Sequence, residues 1–174
     1  MSEVIDKVET VTITVDGKEM QAPKGAMLIE VTDAHNIKVP RFCYHKKLAI
    51  AANCRMCLVE VEKAPKPLPA CATPVMDGMV VHTQSKFAKD AQKSVMEFLL
   101  INHPLDCPIC DQGGECELQD VAVGFGQDVS QYVEAKRVVF VKNIGPQITT
   151  EYVSYKHIRS HETVTMIGYC GLWV

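Results

Sequence analysis

The sequence predicts an α+β fold, and three local signals carry that prediction. They are a tight hairpin near the start, a short amphipathic helix after it, and further short strands punctuated by prolines. Val11-Thr12-Ile13-Thr14-Val15 alternates with the period of a half-buried strand. Asp16-Gly17 is a strong two-residue hairpin turn, which makes Lys18 to Ala22 the returning strand. From Ala26 to His35, Leu28, Val31 and Ala34 recur at helical spacing and form one apolar stripe. The stretch Val39 to Ala52, with Pro40 and the first cysteine, is a loop. Met56 to Val61 is a strand, and Pro65, Pro67, Pro69 and Pro74 punctuate the segment after it. Met79-Val80-Val81 closes the unit beyond the Asp77-Gly78 turn.

A second unit starts near Thr83. Ser85 can cap a helix whose Ala91, Val95, Phe98 and Leu99 share a face, which reads as core packing rather than a cofactor surface. Pro104 disfavours helical geometry at His103, so the helix ends there. The expected organisation is residues 1–83, 84–126 and a tail of 127–174. Within that tail Arg137 to Val141 suggests a strand and Gly145-Pro146 a turn.

Composition narrows the function classes. Apolar residues at 47% and charged residues at 22% are ordinary for a globular chain, and 174 residues allow one domain or two small ones. The formal net charge of −3 predicts affinity for neither nucleic acid nor an anionic membrane surface. No apolar run approaches bilayer-spanning length. Met1 to Lys18 alternates acidic and apolar residues, without the basic start of a secretory signal or the arginines of a transit peptide. The chain therefore reads as cytosolic, or as already processed. In that reducing compartment a disulfide framework is disfavoured despite the even number of cysteines.

Seven of the eight cysteines, with one histidine, fall into two sets of four, the number of ligands an iron–sulfur cluster takes from protein. The first is Cys43, Cys54, Cys57 and Cys71, reading C-x10-C-x2-C-x13-C. Cys54 and Cys57 are close enough in sequence to share a metal, while Ala51, Ala52 and Asn53 are small or turn-tolerant residues that let backbone N–H groups approach it. Zinc sites use the same C-x2-C spacing, so spacing alone does not separate zinc from iron. The second set is His103, Cys107, Cys110 and Cys116, reading H-x3-C-x2-C-x5-C. Its Gly113-Gly114 pair can take conformations closed to other residues, and Pro104 and Pro108 stiffen the loop. A histidine at a helix end is ordinarily solvated or a cap, but a place three residues before a cysteine triplet makes His103 a ligand candidate. Asp106, Asp111 and Glu115 read as exposed loop carboxylates. No catalytic triad or acid–base pair stands out, and Gly113-Gly114 follows a cysteine loop rather than a strand, which argues against a dinucleotide fingerprint. Two complete ligand sets imply a path for electrons, with no substrate chemistry on this chain alone.

Arg41-Phe42-Cys43-Tyr44-His45, Asn53-Cys54-Arg55-Met56-Cys57-Leu58-Val59-Glu60-Val61 and Pro69-Ala70-Cys71 resemble a β-grasp [2Fe-2S] ferredoxin module, in a variant with a longer first gap than the plant-type C-x4-C. The resemblance is to the N-terminus of the G-subunit family of NADH:quinone oxidoreductase, respiratory complex I. His103-Pro104-Leu105-Asp106-Cys107 through Cys116-Glu117-Leu118-Gln119-Asp120 is similar to that family's second module, a small, mainly helical unit with a histidine–tricysteine [4Fe-4S] site. Together the two matches run from about residue 8 to 145 and imply one [2Fe-2S] and one [4Fe-4S] cluster, with His103 as the fourth ligand of the latter. They also imply an electron-transfer subunit that relays electrons from NADH towards quinone. Its partners would be the other peripheral-arm subunits, above all a flavoprotein that oxidises NADH, and its place the cytoplasmic face of the bacterial inner membrane.

Family members continue after Lys142-Asn143-Ile144-Gly145-Pro146 into a further C-x2-C-x2-C motif, whereas Glu151 to His161 holds no cysteine and Cys170 stands alone. His157 and His161 could share a helix face but read as solvated side chains. A shortened paralogue, a damaged gene or a frameshift near residue 150 would each produce this divergence. Related modules open iron-only hydrogenases, diaphorase subunits of soluble hydrogenases and some formate dehydrogenases, so a small iron–sulfur subunit of such an enzyme is the alternative. A zinc-stapled binding module and a non-functional truncation product are two more.

Overall fold

A computed structural model of the chain describes residues 9–136, 142–145 and 148–150. The described backbone divides into two compact units, one of residues 9–39 and 57–91, the other of 40–56 and the described residues from 92 onward. The loop carrying Cys43 and Cys54 therefore belongs by contact with the residues after 91.

The first unit is built on a mixed sheet. Strand β1 (Thr10–Val15) pairs antiparallel with β2 (Lys18–Pro23), and the register joins Val15 to Lys18. Asp16 and Gly17 lie between them at φ of +48° and +79°, the double left-handed geometry that a right-twisted hairpin favours. The period-2 pattern buries Val11, Ile13 and Val15 on one face. Helix α1 (Leu28–Ala34) comes next, and the Glu30 carboxylate accepts a hydrogen bond from the Met27 N–H at 3.1 Å to close its first turn. Leu28, Ile29, Val31 and Thr32 are buried, whereas Ala34, expected in the stripe, is exposed. Its place in the core is taken by Ile29.

Strand β3 (Leu58–Val61) pairs antiparallel with β4 (Leu68–Pro69) on one side and with β5 (Val80–His82) on the other. Strand β5 also runs parallel to β1, giving the order β2-β1-β5-β3-β4. A parallel neighbour needs a long crossover, so no local sequence signal could reveal this central pairing. Side chains lock it. The Asp77 carboxylate accepts the Thr12 N–H at 2.9 Å, and Asp16 accepts both the N–H (2.7 Å) and the hydroxyl (2.5 Å) of Thr83. Asp16 thus serves turn and clamp together. Asp16→Ala is expected to lower the unfolding free energy by about 2 kcal/mol through loss of charge-assisted bonds and turn preference. Asp16→Asn should keep much of it; urea denaturation of the two variants checks this.

Helix α2 (Lys86–Leu100) opens as predicted, with Ser85 Oγ accepting the Ala88 N–H at 3.1 Å. Its buried stripe, however, is Ala88, Gln92, Met96 and Leu99. Ala91 and Val95 are only partly covered and Phe98 is 71% exposed. The polar Gln92 disguises the true i, i+4, i+8, i+11 row and moves the expected face round the helix. Helix α3 (Glu117–Phe125) completes the second unit's core, in which Phe42, Cys43, Cys54, Met56, Met96, Leu99 and Leu118 are buried together. A short antiparallel pair ends the described chain, β6 (Lys142–Gly145) with β7 (Ile148–Thr150). The strand expected at 137–141 lies outside the described residues, as do Pro146 of the expected turn, His157, His161 and Cys170. The coarse α+β class stands. Among the described residues no helix is long and apolar enough to cross a membrane.

Candidate metal centres

In the second unit the loop from Pro40 to Met56 brings Cys43 and Cys54 together. Ala52 and Arg55 both adopt positive φ, +48° and +57°, on either side of Cys54. That costs about 1–2 kcal/mol per residue, since neither is glycine. The bends aim the N–H groups of Asn53 and Cys54 at the Sγ of Cys43, each at 3.3 Å, and the Met56 N–H at the Sγ of Cys54 at 3.5 Å. Successive N–H groups converging on one sulfur form a concavity suited to an anion, here a thiolate. Ala52→Val, a β-branched residue in the left-handed region, should therefore reduce stability by roughly 1–2 kcal/mol, while Ala52→Gly should not. Thermal unfolding of the two variants tests whether the bend is demanded.

Cys43 and Cys54 are only 2% and 7% exposed. The proton shared with Cys43, and next burial, push the Cys54 thiol far above its ordinary range, only partly opposed by backbone N–H groups. Cys54 without metal therefore keeps its proton, and iron uptake at this sulfur must displace it. In the first unit Cys57 and Cys71, each 1% exposed, lie just beyond the same end of the β3–β4 ladder, next to the Leu58–Pro69 pair. The Ala70 N–H donates to the Cys57 carbonyl at 2.9 Å, and Cys71 sits in a 3-10 turn, Ala70–Ala72. Buried thiols with N–H groups directed at sulfur suit an iron–sulfur cluster, whose potential such bonds help to set.

The second loop wraps on itself. The Cys110 N–H donates to the Cys107 carbonyl (3.3 Å), the Gly113 N–H to the Cys110 carbonyl (2.9 Å), and the Gly114 N–H to Gln119 Oε1 (3.1 Å). A Cβ at Gly113 would stand 2.5 Å from the Cys107 carbonyl oxygen, and Gly114 has φ of +93°. The two glycines are thus required for different reasons, one steric and one conformational. Cys107 and Cys110 are exposed, whereas Cys116 is partly buried against the core that holds Cys43 and Cys54, at the N-terminus of α3. A thiolate there meets the positive end of the helix dipole. His103 is half-buried just past α2, its backbone N–H donating to the Leu100 carbonyl at 3.2 Å. Desolvation, and then the charge of Lys136, press its pKa down against the opposing pull of Asp106. The neutral imidazole that results is the form able to ligate a metal.

Among the described residues no three His, Cys, Asp or Glu side chains gather about a single point as one metal ion would require. A cluster has no such need, because its ligands are distributed over separate irons. The sequence offers no signal for the left-handed Arg55, for Gln119 beside Gly114, or for Lys136, which lies in a stretch without a motif.

Together with two family matches, these cysteine loops make the chain an iron–sulfur-cluster-binding protein. Residues 8–86 match the family described as a 2Fe-2S iron-sulfur cluster binding domain, and residues 92–131 the NADH-ubiquinone oxidoreductase-G iron-sulfur binding region. The chain is 52% identical over 142 residues to an iron-sulfur protein 1 of mitochondrial NADH dehydrogenase [ubiquinone] from Solanum tuberosum, covering 82% of this chain and 19% of that one. It is 54% identical to an NADH-ubiquinone oxidoreductase 75 kDa subunit from Reclinomonas americana (80% and 20% covered) and 51% identical to the G subunit of an NADH-quinone oxidoreductase from Rickettsia bellii (80% and 21%). The chain belongs to the 75 kDa (G-subunit) family of NADH:quinone oxidoreductases. It spans about a fifth of the length of these relatives. In fold it is also similar to a chain in the crystal structure of an NAD+-reducing [NiFe]-hydrogenase, with a TM-score of 0.70, 23% identity, and coverage of 81% of this chain and 59% of that one.

Proposed function

We propose that the chain carries electrons between two iron–sulfur clusters. A [2Fe-2S] cluster is held by Cys43, Cys54, Cys57 and Cys71, and a [4Fe-4S] cluster by His103, Cys107, Cys110 and Cys116. Bound there, the clusters supply reversible one-electron chemistry. The protein's own part is to hold thiolates in place, direct N–H groups at sulfur and keep water from the first site. One observation carries this reading: Cys116 of the second loop packs against the same apolar core that buries Cys43 and Cys54 of the first. The two loops therefore share rigid support rather than being linked by mobile chain.

In this reading residues 1–83 are a β-grasp ferredoxin-type domain, to which a mixed sheet of order β2-β1-β5-β3-β4 with one packed helix corresponds. Residues 84–126 are a histidine–tricysteine module and 127–174 a tail. The limits of the two family matches, 8–86 and 92–131, favour that division. By kinship the chain works within an NADH:quinone oxidoreductase. It takes NADH-derived electrons from a flavoprotein partner and passes them towards quinone, in a peripheral arm on the cytoplasmic face of the membrane. Stepwise reduction followed by electron paramagnetic resonance tests the two-centre reading. Two distinct signals, together accounting for two electrons per chain, are expected; a single signal, or none, overturns it.

A further inference from the structure

Beyond the ligand loops, the backbone after α3 returns along α2 and is fastened to it at two points. The first is Glu97, whose carboxylate accepts hydrogen bonds from Gln127 Nε2 (2.8 Å), Ser130 Oγ (3.4 Å) and the Gln131 N–H. The second is Lys136, whose Nζ donates to the Leu100 and His103 carbonyls, both at 3.0 Å. The Leu100 carbonyl, which also accepts the His103 backbone N–H, lies at the C-terminal end of α2, and a cation is favoured at that negative pole. What this does not require is that one of the two carbonyls belong to the candidate histidine ligand.

We propose that Lys136 is a positioning residue of the second centre, clamping the His103 backbone while placing a positive charge beside the cluster that raises its reduction potential. Adding an electron makes the cluster more negative, so a nearby cation favours the reduced form. The same cation offsets the partial negative charge of the α2 C-terminus, which alone would favour the oxidised form. Asp106 opposes that cation, so the net charge at this loop depends on the strap staying fastened at Glu97.

This inference rests on the two-centre reading above, and the two fail differently. If that reading is wrong, the unaltered chain shows no second paramagnetic signal at all. Given that signal, the test is a potentiometric titration of the 174-residue chain, loaded anaerobically, against Lys136→Met and Lys136→Arg. Lys136→Met should lower the second midpoint potential, leave the first unmoved, and keep the iron content. Lys136→Arg, which retains the charge and can reach both carbonyls, should restore it. An unchanged midpoint in a fully loaded Lys136→Met chain, or an equal fall in Lys136→Arg, overturns the proposal. Should Lys136→Met fail to load the second cluster, Glu97→Ala decides. It frees the strap but leaves the lysine in the chain, so a lowered second midpoint supports the proposal and an unchanged one overturns it.

Discussion

Cys54→Ser is expected to abolish the first centre and to leave the second intact. The substitution is nearly isosteric at a residue 7% exposed, so it introduces neither a cavity nor an overpacked core. What it removes is the soft thiolate that iron prefers, leaving a hydroxyl far harder to deprotonate in a buried site. The neighbouring N–H groups of Asn53 and Cys54 point at Cys43, so they cannot compensate for a missing fourth sulfur. The signal of the two-iron centre should fall to background while that of the second stays near one spin per chain. Loss of both would mean that the loops do not load separately, and retention of both would remove Cys54 from the ligand set.

His103→Cys has the second largest effect, on potential rather than occupancy. Exchanging a neutral imidazole for a thiolate adds a negative charge to the cluster and disfavours further reduction. Histidine-ligated Rieske centres show the same dependence in the opposite sense. A cubane that persists with its midpoint lowered by on the order of 100 mV is the expected result. An unchanged midpoint would exclude imidazole ligation. His103→Ala is the companion: it should diminish the cubane, since the half-buried position offers no thiolate in its place.

The sequence speaks clearly wherever chemistry is local. The Asp16-Gly17 turn, the Ser85 cap and the spacing of the two cysteine loops each depend on a few adjacent residues, and each is readable. Longer-range features are not. The parallel β1–β5 pairing depends on strands separated by the whole ligand loop, and the Asp16–Thr83 clamp on the same closure. The core face of α2 is hidden because Gln92 interrupts its apolar row, and the exposure of Ala34 because periodicity does not say which end of a short helix is covered. At the candidate centres the ligand types are legible, but the left-handed Ala52 and Arg55 that aim N–H groups at sulfur are not, since neither residue type advertises that conformation. Lys136 is the extreme case, because its significance comes wholly from a strap folding back onto α2.

Whether these side chains grip iron and sulfide is open to one direct measurement: metal and acid-labile sulfide analysis of the chain purified without air. Occupation of both centres predicts a brown protein with about six irons and six sulfides per chain and no stoichiometric zinc. Colourless material holding only zinc, or no metal, would contradict it.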